Sequence, residues 1–145
     1  MPKILRVSAP EAKELLDQQA YLYLDVRSEP EYEAGHPAGA HNVPLMQAGP
    51  AGMQPNPDFL RVVEALYPKD AKLIMGCRSG QRSMRAAEMM QAAGFGDLVD
   101  LRPGFDGARD PFGSIVEAGW SALGLPSESK TPGASYAELK RKAGL

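Results

Sequence analysis

The chain of 145 residues holds one cysteine, one tryptophan and two histidines, and aromatic residues make up only 7% of it. A single cysteine excludes an internal disulfide. The length is enough to bury a stable core without disulfides or structural metal. One cysteine and two histidines also fall short of a recognisable zinc site, so neither metal nor cofactor is expected. No apolar run approaches the roughly 20 residues of a membrane-spanning helix. The first residues, "MPKILRVSAPEAK", lack a signal-peptide core and cleavage site. The expectation is a cytoplasmic protein without membrane contact, in a reducing compartment that keeps the thiol free. Excess charge is lacking too: 16 basic residues face 18 acidic ones, for a net charge of −2. A nucleic-acid binder needs a broad basic surface, and none is expected here; a local basic site remains open.

What is present is an ordinary soluble mixture, 43% hydrophobic and 23% charged, patterned as alternating strands and helices. "ILRV" (4–7) fits an edge strand. Ser8 and Glu11 stand at capping-box spacing before a helix through "EAKELLDQQ". "YLYLDV" (21–26) is an apolar run dense enough for a strand covered on both faces. Ser28, with Glu31 three residues on and Gly35 as a stop, starts one or two helical turns. "AHNVP" (40–44) is a short strand at most. "LMQAGPAGMQPNP" (45–57) reads as a Gly/Pro-rich surface loop. "DFLRVVEALY" is a helix opened by Asn56-Pro57 and ended by Pro68. "AKLIMG" (71–76) and "DLVDL" (97–101) are buried strands. Between them "SMRAAEMMQAA" from Ser83 is a helix stopped by Gly94. "DPFGSIVEAGW" fits a hairpin turning at Gly113, "PSESKTPGAS" a linker, and "SYAELKRKAG" (135–144) a short terminal helix. This alternation predicts an α/β fold around a mainly parallel sheet, whose ligands bind beyond the carboxyl ends of the strands.

The one cysteine stands at such an end, in "GCRSGQRS" (76–83). A lone cysteine is more often a small buried hydrophobe, but a polar, basic turn between a strand and a helix favours reactivity. Thiolate is the nucleophilic form, and neighbouring cations or a helix N-terminus favour it. A loop from Cys77 through Arg78, Ser79, Gly80, Gln81 and Arg82 to Ser83 can curl around the sulfur with its N–H groups pointing inward as an anion nest, Gly80 letting the backbone approach closely. The expected chemistry is attack by Cys77 on an electrophilic centre in a small anion, through a covalent intermediate.

Two blocks bring a family into view. "YLDVRSEPEYEAGHPAGAHNVPL" (23–45) resembles the Asp-Val-Arg, Glu-Tyr, Gly-His and Asn-Val-Pro pattern of the rhodanese-like sulfurtransferases. "LIMGCRSGQRSMRAAEMMQAAGF" (73–95) resembles their active-site strand, loop and helix, and "GMQPNPDFL" is similar to the single-domain bacterial and plant branch. The resemblance covers residues of about 20 to 107 and implies the rhodanese-like fold, a five-stranded mainly parallel sheet with helices on both faces. It implies that Cys77 takes a sulfane sulfur from thiosulfate or a similar anionic donor as a persulfide and passes it to cyanide, a thiol or a protein acceptor. The six residues from Cys77 to Arg82 match sulfurtransferase members; the related phosphatases have one more. A sulfur-carrier module serving one protein partner is the alternative, and a thiolate-based phosphatase or arsenate reductase a weaker one.

The resemblance also draws in Asp25, Arg27, Glu33 and His36. They are expected to form a polar network supporting the loop rather than to act on substrate, since buried charges persist when paired. The chain departs from the family pattern at Pro37-Ala38 and at Pro103-Gly104, and by an insertion at about 108–119. The insertion either walls the pocket, with Arg102 or Arg109 touching donor or acceptor, or is a solvated excursion. Trp120 is a further candidate for the pocket wall, but with Phe105 and Phe112 it is expected rather to be a packing residue. A single domain is assigned to 1–126, followed by a linker and short helix over 127–145.

Overall fold

A computed structural model describes residues 3–145. In chain order the elements are β1 (Leu5–Val7), α1 (Ala9–Gln18), β2 (Leu22–Asp25), α2 (Glu29–Ala34), β3 (His36–Pro37), β4 (His41–Asn42), β5 (Met46–Gly49) and β6 (Gly52–Pro55). Next come α3 (Phe59–Leu66), β7 (Leu73–Gly76), α4 (Gln81–Ala92), β8 (Leu98–Leu101), β9 (Gly107–Arg109), β10 (Ile115–Ala118), β11 (Ser127–Glu128) and α5 (Tyr136–Lys142). Five strands form one sheet in the order β1-β8-β7-β2-β4, and every pairing in it is parallel. The alternation predicted this α/β fold with a parallel sheet, and the family resemblance implied its five strands.

The period of two along each strand splits the core. Leu24, Leu73, Met75 and Leu98 face one layer, where Phe59, Val62 and Val63 of α3, Ala86, Ala87 and Met90 of α4, and Tyr136 and Leu139 of α5 close over them. Tyr23, Ile74, Val99 and Leu101 face the other, covered by Ala9 and Ala12 of α1, Tyr32 of α2 and Trp120. Helix starts obey their local signals. Ser8 accepts from the Glu11 amide while Glu11 accepts from the Ser8 amide, and the Ser135 side chain caps α5 by accepting from the Glu138 amide.

Three segments depart from the sequence expectation. Residues 46–55 are not a plain loop: β5 and β6 pair antiparallel across Gly49 and Gly52, a hairpin whose small turn residues carried no alternation to announce it. Helix α4 begins at Gln81 rather than Ser83, because Gly80 takes the left-handed N-cap position at φ 98°. Residues 127–135 are not a linker. β11 pairs with β3, the Ala134 carbonyl accepts from the Asn42 amide, and α5 buries Tyr136 and Leu139 in the core. The terminal segment thus packs against the core. The excursion after residue 106 is the hairpin β9–β10, with Gly113 at its turn (φ 83°) and Phe112 at its tip 92% exposed.

Candidate active site

Parallel strands β2, β7 and β8 end side by side, and the turns that leave them meet at one sheet edge. After β7 the chain turns through Cys77 to Gly80 into α4. Cys77 is 1% exposed. Its sulfur accepts the Gly80 amide at 3.1 Å and lies 3.4 Å from the Ser83 hydroxyl. Both come from the start of a twelve-residue helix, whose N-terminus carries partial positive charge. The turn closes because Gly80 has no side chain: a Cβ there would stand 2.2 Å from the Arg102 carbonyl oxygen. Gly104 backs the loop from the far side, where a Cβ would meet the Arg78 and Cys77 carbonyl oxygens at 2.5 and 2.7 Å. Beside it the amides of Phe105 and Asp106 donate to the carbonyls of Cys77 and Arg78.

The two loop arginines are both engaged. Arg82 forks onto Glu31 at the start of α2, Nη1 to Oε1 at 2.7 Å and Nη2 to Oε2 at 2.9 Å. Arg78 reaches Asp106 through Nε at 2.8 Å on the more exposed rim. Ser79 lies within the turn, and Gln81 opens α4 as an exposed residue. Burial opposes the ionisation of Glu31, yet hydrogen bonds from Arg82 and Ser28 and the Arg82 charge together lower its carboxyl to about 2.

Asp25 and Arg27 form a buried pair. The Asp25 carboxylate takes the Arg27 amide and guanidinium at 2.7–3.1 Å. Arg27 also donates to the Gly35 carbonyl and lies 4.6 Å from the centre of the Phe105 ring. Asn42 fastens the same turn by donating to the carbonyls of Asp25 and Arg27. Next to the loop is a cavity of about 290 Å³, lined by Arg27, Glu31, Gly35, Arg78, Phe105 and Asp106.

Several expected site residues stand elsewhere. Glu33 is exposed and faces a separate surface depression with Lys130 and Thr131; the carboxylate that enters the site from α2 is Glu31. The reason is helical geometry, which turns residues two apart to opposite sides. His36 is fully buried, stacked on Tyr32, with Nδ1–H donating to the Tyr32 carbonyl and Nε2 meeting Thr131, so it anchors the terminal strap rather than the loop. Arg109 donates to Gly113 and closes the hairpin turn. Arg102 forks onto Glu117 across the hairpin base. Trp120 is buried against Tyr23, its indole N–H on the Pro126 carbonyl. Of these, Arg102, Arg109 and Trp120 line none of the cavity beside the loop. Among the described residues no group of three or more His, Cys, Asp or Glu is placed to hold a metal, and no helix is long and apolar enough to cross a membrane.

Glu31, Phe105, Asp106 and Arg6 were not legible as site residues. Each lies 28 or more positions from its loop partner in sequence, and only the capping-box spacing after Ser28 marked Glu31 as structurally placed at all.

The chain is similar to known proteins. The chloroplastic thiosulfate sulfurtransferase 16 of Arabidopsis thaliana is 37% identical over 123 residues, which are 85% of this chain and 92% of that protein. The thiosulfate sulfurtransferase GlpE of Pseudomonas fluorescens is 30% identical over 76% of this chain and 90% of its own. The crystal structure of Rv0390 from M. tuberculosis superposes with a TM-score of 0.72 at 29% identity, covering 89% of this chain and 100% of that one. The rhodanese-like domain matches residues 8–110, and with its parallel sheet and its cysteine turn at the end of a central strand the chain belongs to the rhodanese-like domain family.

Proposed function

We propose that the chain is a sulfurtransferase that carries a sulfane sulfur on Cys77, with thiosulfate or a similar dianion as donor. The observation that carries this reading is the Gly80 amide aimed at the Cys77 sulfur at the head of α4. Relatives named as thiosulfate sulfurtransferases support it. In the first half-reaction the ionised Cys77 sulfur attacks the outer sulfur of thiosulfate. A Cys77 S–S bond forms, the S–S bond of thiosulfate breaks, and its electron pair leaves with sulfite. In the second, cyanide or a thiol attacks the outer sulfur. The Cys77 S–S bond breaks, its pair returns to Cys77, and thiocyanate or a new persulfide departs. The new negative charge on the outer sulfur would be met by loop N–H groups and the helix end. Arg82 and Arg78, each neutralised by a carboxylate, would hold the shape of the loop more than add net charge. Ser79, Gln81 and Ser83 complete that loop, and Asp25 and Arg27 brace the cavity beside it.

The chain has no second cysteine, which supports an acceptor from outside: a small thiol, cyanide or a protein thiol in a reducing compartment such as the cytoplasm. The test is intact mass after incubation with thiosulfate and removal of the reagent. One added sulfur atom in the wild type, absent in Cys77→Ser and discharged by cyanide, is expected. No mass gain, together with turnover of an aryl phosphate or arsenate, would overturn the proposal in favour of a thiolate phosphatase or reductase.

A further inference from the structure

Arg6 lies on the edge strand β1, directly opposite Asp100 in the parallel register with β8. Both side chains therefore leave the sheet on one face. The Arg6 Nε donates to Asp100 Oδ2 at 2.8 Å and its Nη2 to the Gly80 carbonyl at 2.9 Å. Asp100 is fully buried and its Oδ1 makes no hydrogen bond; Arg6 is its ion-pair partner, and the Ser83 hydroxyl bonds to it as well. Arg6 is fixed in turn: Arg102 donates to its carbonyl at 3.2 Å.

Gly80 is the residue that most needs holding. It takes the left-handed conformation, where glycine has more freedom than any other residue, and its amide is the donor on the Cys77 sulfur. Arg78 and Arg82 are drawn to Asp106 and Glu31, so neither holds the Gly80 carbonyl. We infer that Arg6 is a positioning residue of the Cys77 loop: its guanidinium, oriented by Asp100, pins the Gly80 carbonyl and so keeps the Gly80 amide on the reacting sulfur. The inference rests on Cys77 being the reacting group.

Cys77 meets the Ser83 hydroxyl and the charges of Tyr23 on β2 and Arg82 on α4; Asp25, Arg27 and Asp100 lie around Tyr23, and Glu31 of α2 holds Arg82. Arg6→Gln and Arg6→Lys substitute none of these residues, and Asp100 is the one whose ion pair they alter. The readout is the pH profile of Cys77 alkylation by iodoacetamide in the full chain, with thermal melting as a folding control. Losing a charge-assisted bond that fixes a donor on the sulfur shifts the alkylation midpoint of Arg6→Gln upward by about one pH unit. Lysine keeps the cation near Asp100 but lacks the fork, so Arg6→Lys behaves like Arg6→Gln rather than the wild type. Arg61→Gln, which removes an exposed cation paired with Asp58, leaves the midpoint unchanged. A folded Arg6→Gln with the wild-type profile overturns the inference. If Arg6→Gln does not fold, the same coincidence in Arg6→Lys overturns it. Alkylation needs no sulfur donor, so failure of thiosulfate to load Cys77 would sink the sulfurtransferase reading and leave this measurement intact.

Discussion

Glu31 serves two partners at once: its carboxylate takes both terminal nitrogens of Arg82 and also accepts the Ser28 amide that begins α2. The start of one helix and the loop at the head of another are thereby a single structural unit, joined across 51 residues of sequence.

That unit has a pH signature. Glu31 titrates at about 2 in the fold against an ordinary value of 4.5. Its folded-state pKa is depressed, so its stabilisation is fully present above about 4.5 and is lost as pH falls through about 2. Glu31→Gln keeps a capping acceptor but removes the charge. In urea unfolding it is expected to lose on the order of 1 kcal/mol at neutral pH, allowing for solvent around the partly buried pair. The gap to the wild type should narrow between pH 4.5 and 2. A gap that stays constant over that range contradicts the assignment.

Gly80→Ala forces a Cβ against the Arg102 carbonyl and keeps a left-handed φ. It should destabilise the domain by roughly 1–3 kcal/mol and slow persulfide formation by at least about tenfold, as the amide on Cys77 moves. Rapid-quench mass spectrometry measures the second effect and a denaturant titration the first.

Arg109→Ala touches only the hairpin turn and should leave persulfide formation within about twofold of the wild type. Trp120→Ala empties a fully buried site and should cost about 3–5 kcal/mol, with loading rates tracking the folded fraction. A selective loss of loading in Arg109→Ala would restore it as a contact of donor or acceptor.

The terminal helix is a structural element by its burial. Leu139→Ala should lower stability by about 2–5 kcal/mol, read in the same denaturant titration. An effect below about 0.5 kcal/mol, the range of surface substitutions, would show α5 to be dispensable.

The legible part of the fold was the part governed by local pattern. The run at 21–26, the Ser8 and Ser28 caps, the turn at Gly113 and the cysteine turn each announce themselves within a few residues. At the candidate site the turn from β7 through Cys77 into α4 was legible for the same reason. The illegible part depends on partners far apart in the chain. Arg6 and Asp100 become neighbours only once β1 pairs with β8. Glu31 and Glu33 differ in role because a helix turns them apart, which composition cannot show. Residues 127–135, rich in Ser, Pro and Gly, have the make-up of a linker, and become a strap through backbone pairing and through Thr131 meeting His36.

The hairpin β9–β10 is pinned at both ends. On its way out, Phe105 and Asp106 are bonded to the carbonyls of Cys77 and Arg78; on its way back, Trp120 and Ser121 are bonded to those of Gly104 and Phe105. The tip between Arg109 and Glu117 can change length at little entropic cost while Glu117 at the base keeps its hold on Arg102. Residues 110–115 are therefore a graft point. A longer arm, a different recognition loop or a fused peptide could be installed there, with the cysteine turn insulated from the exchange.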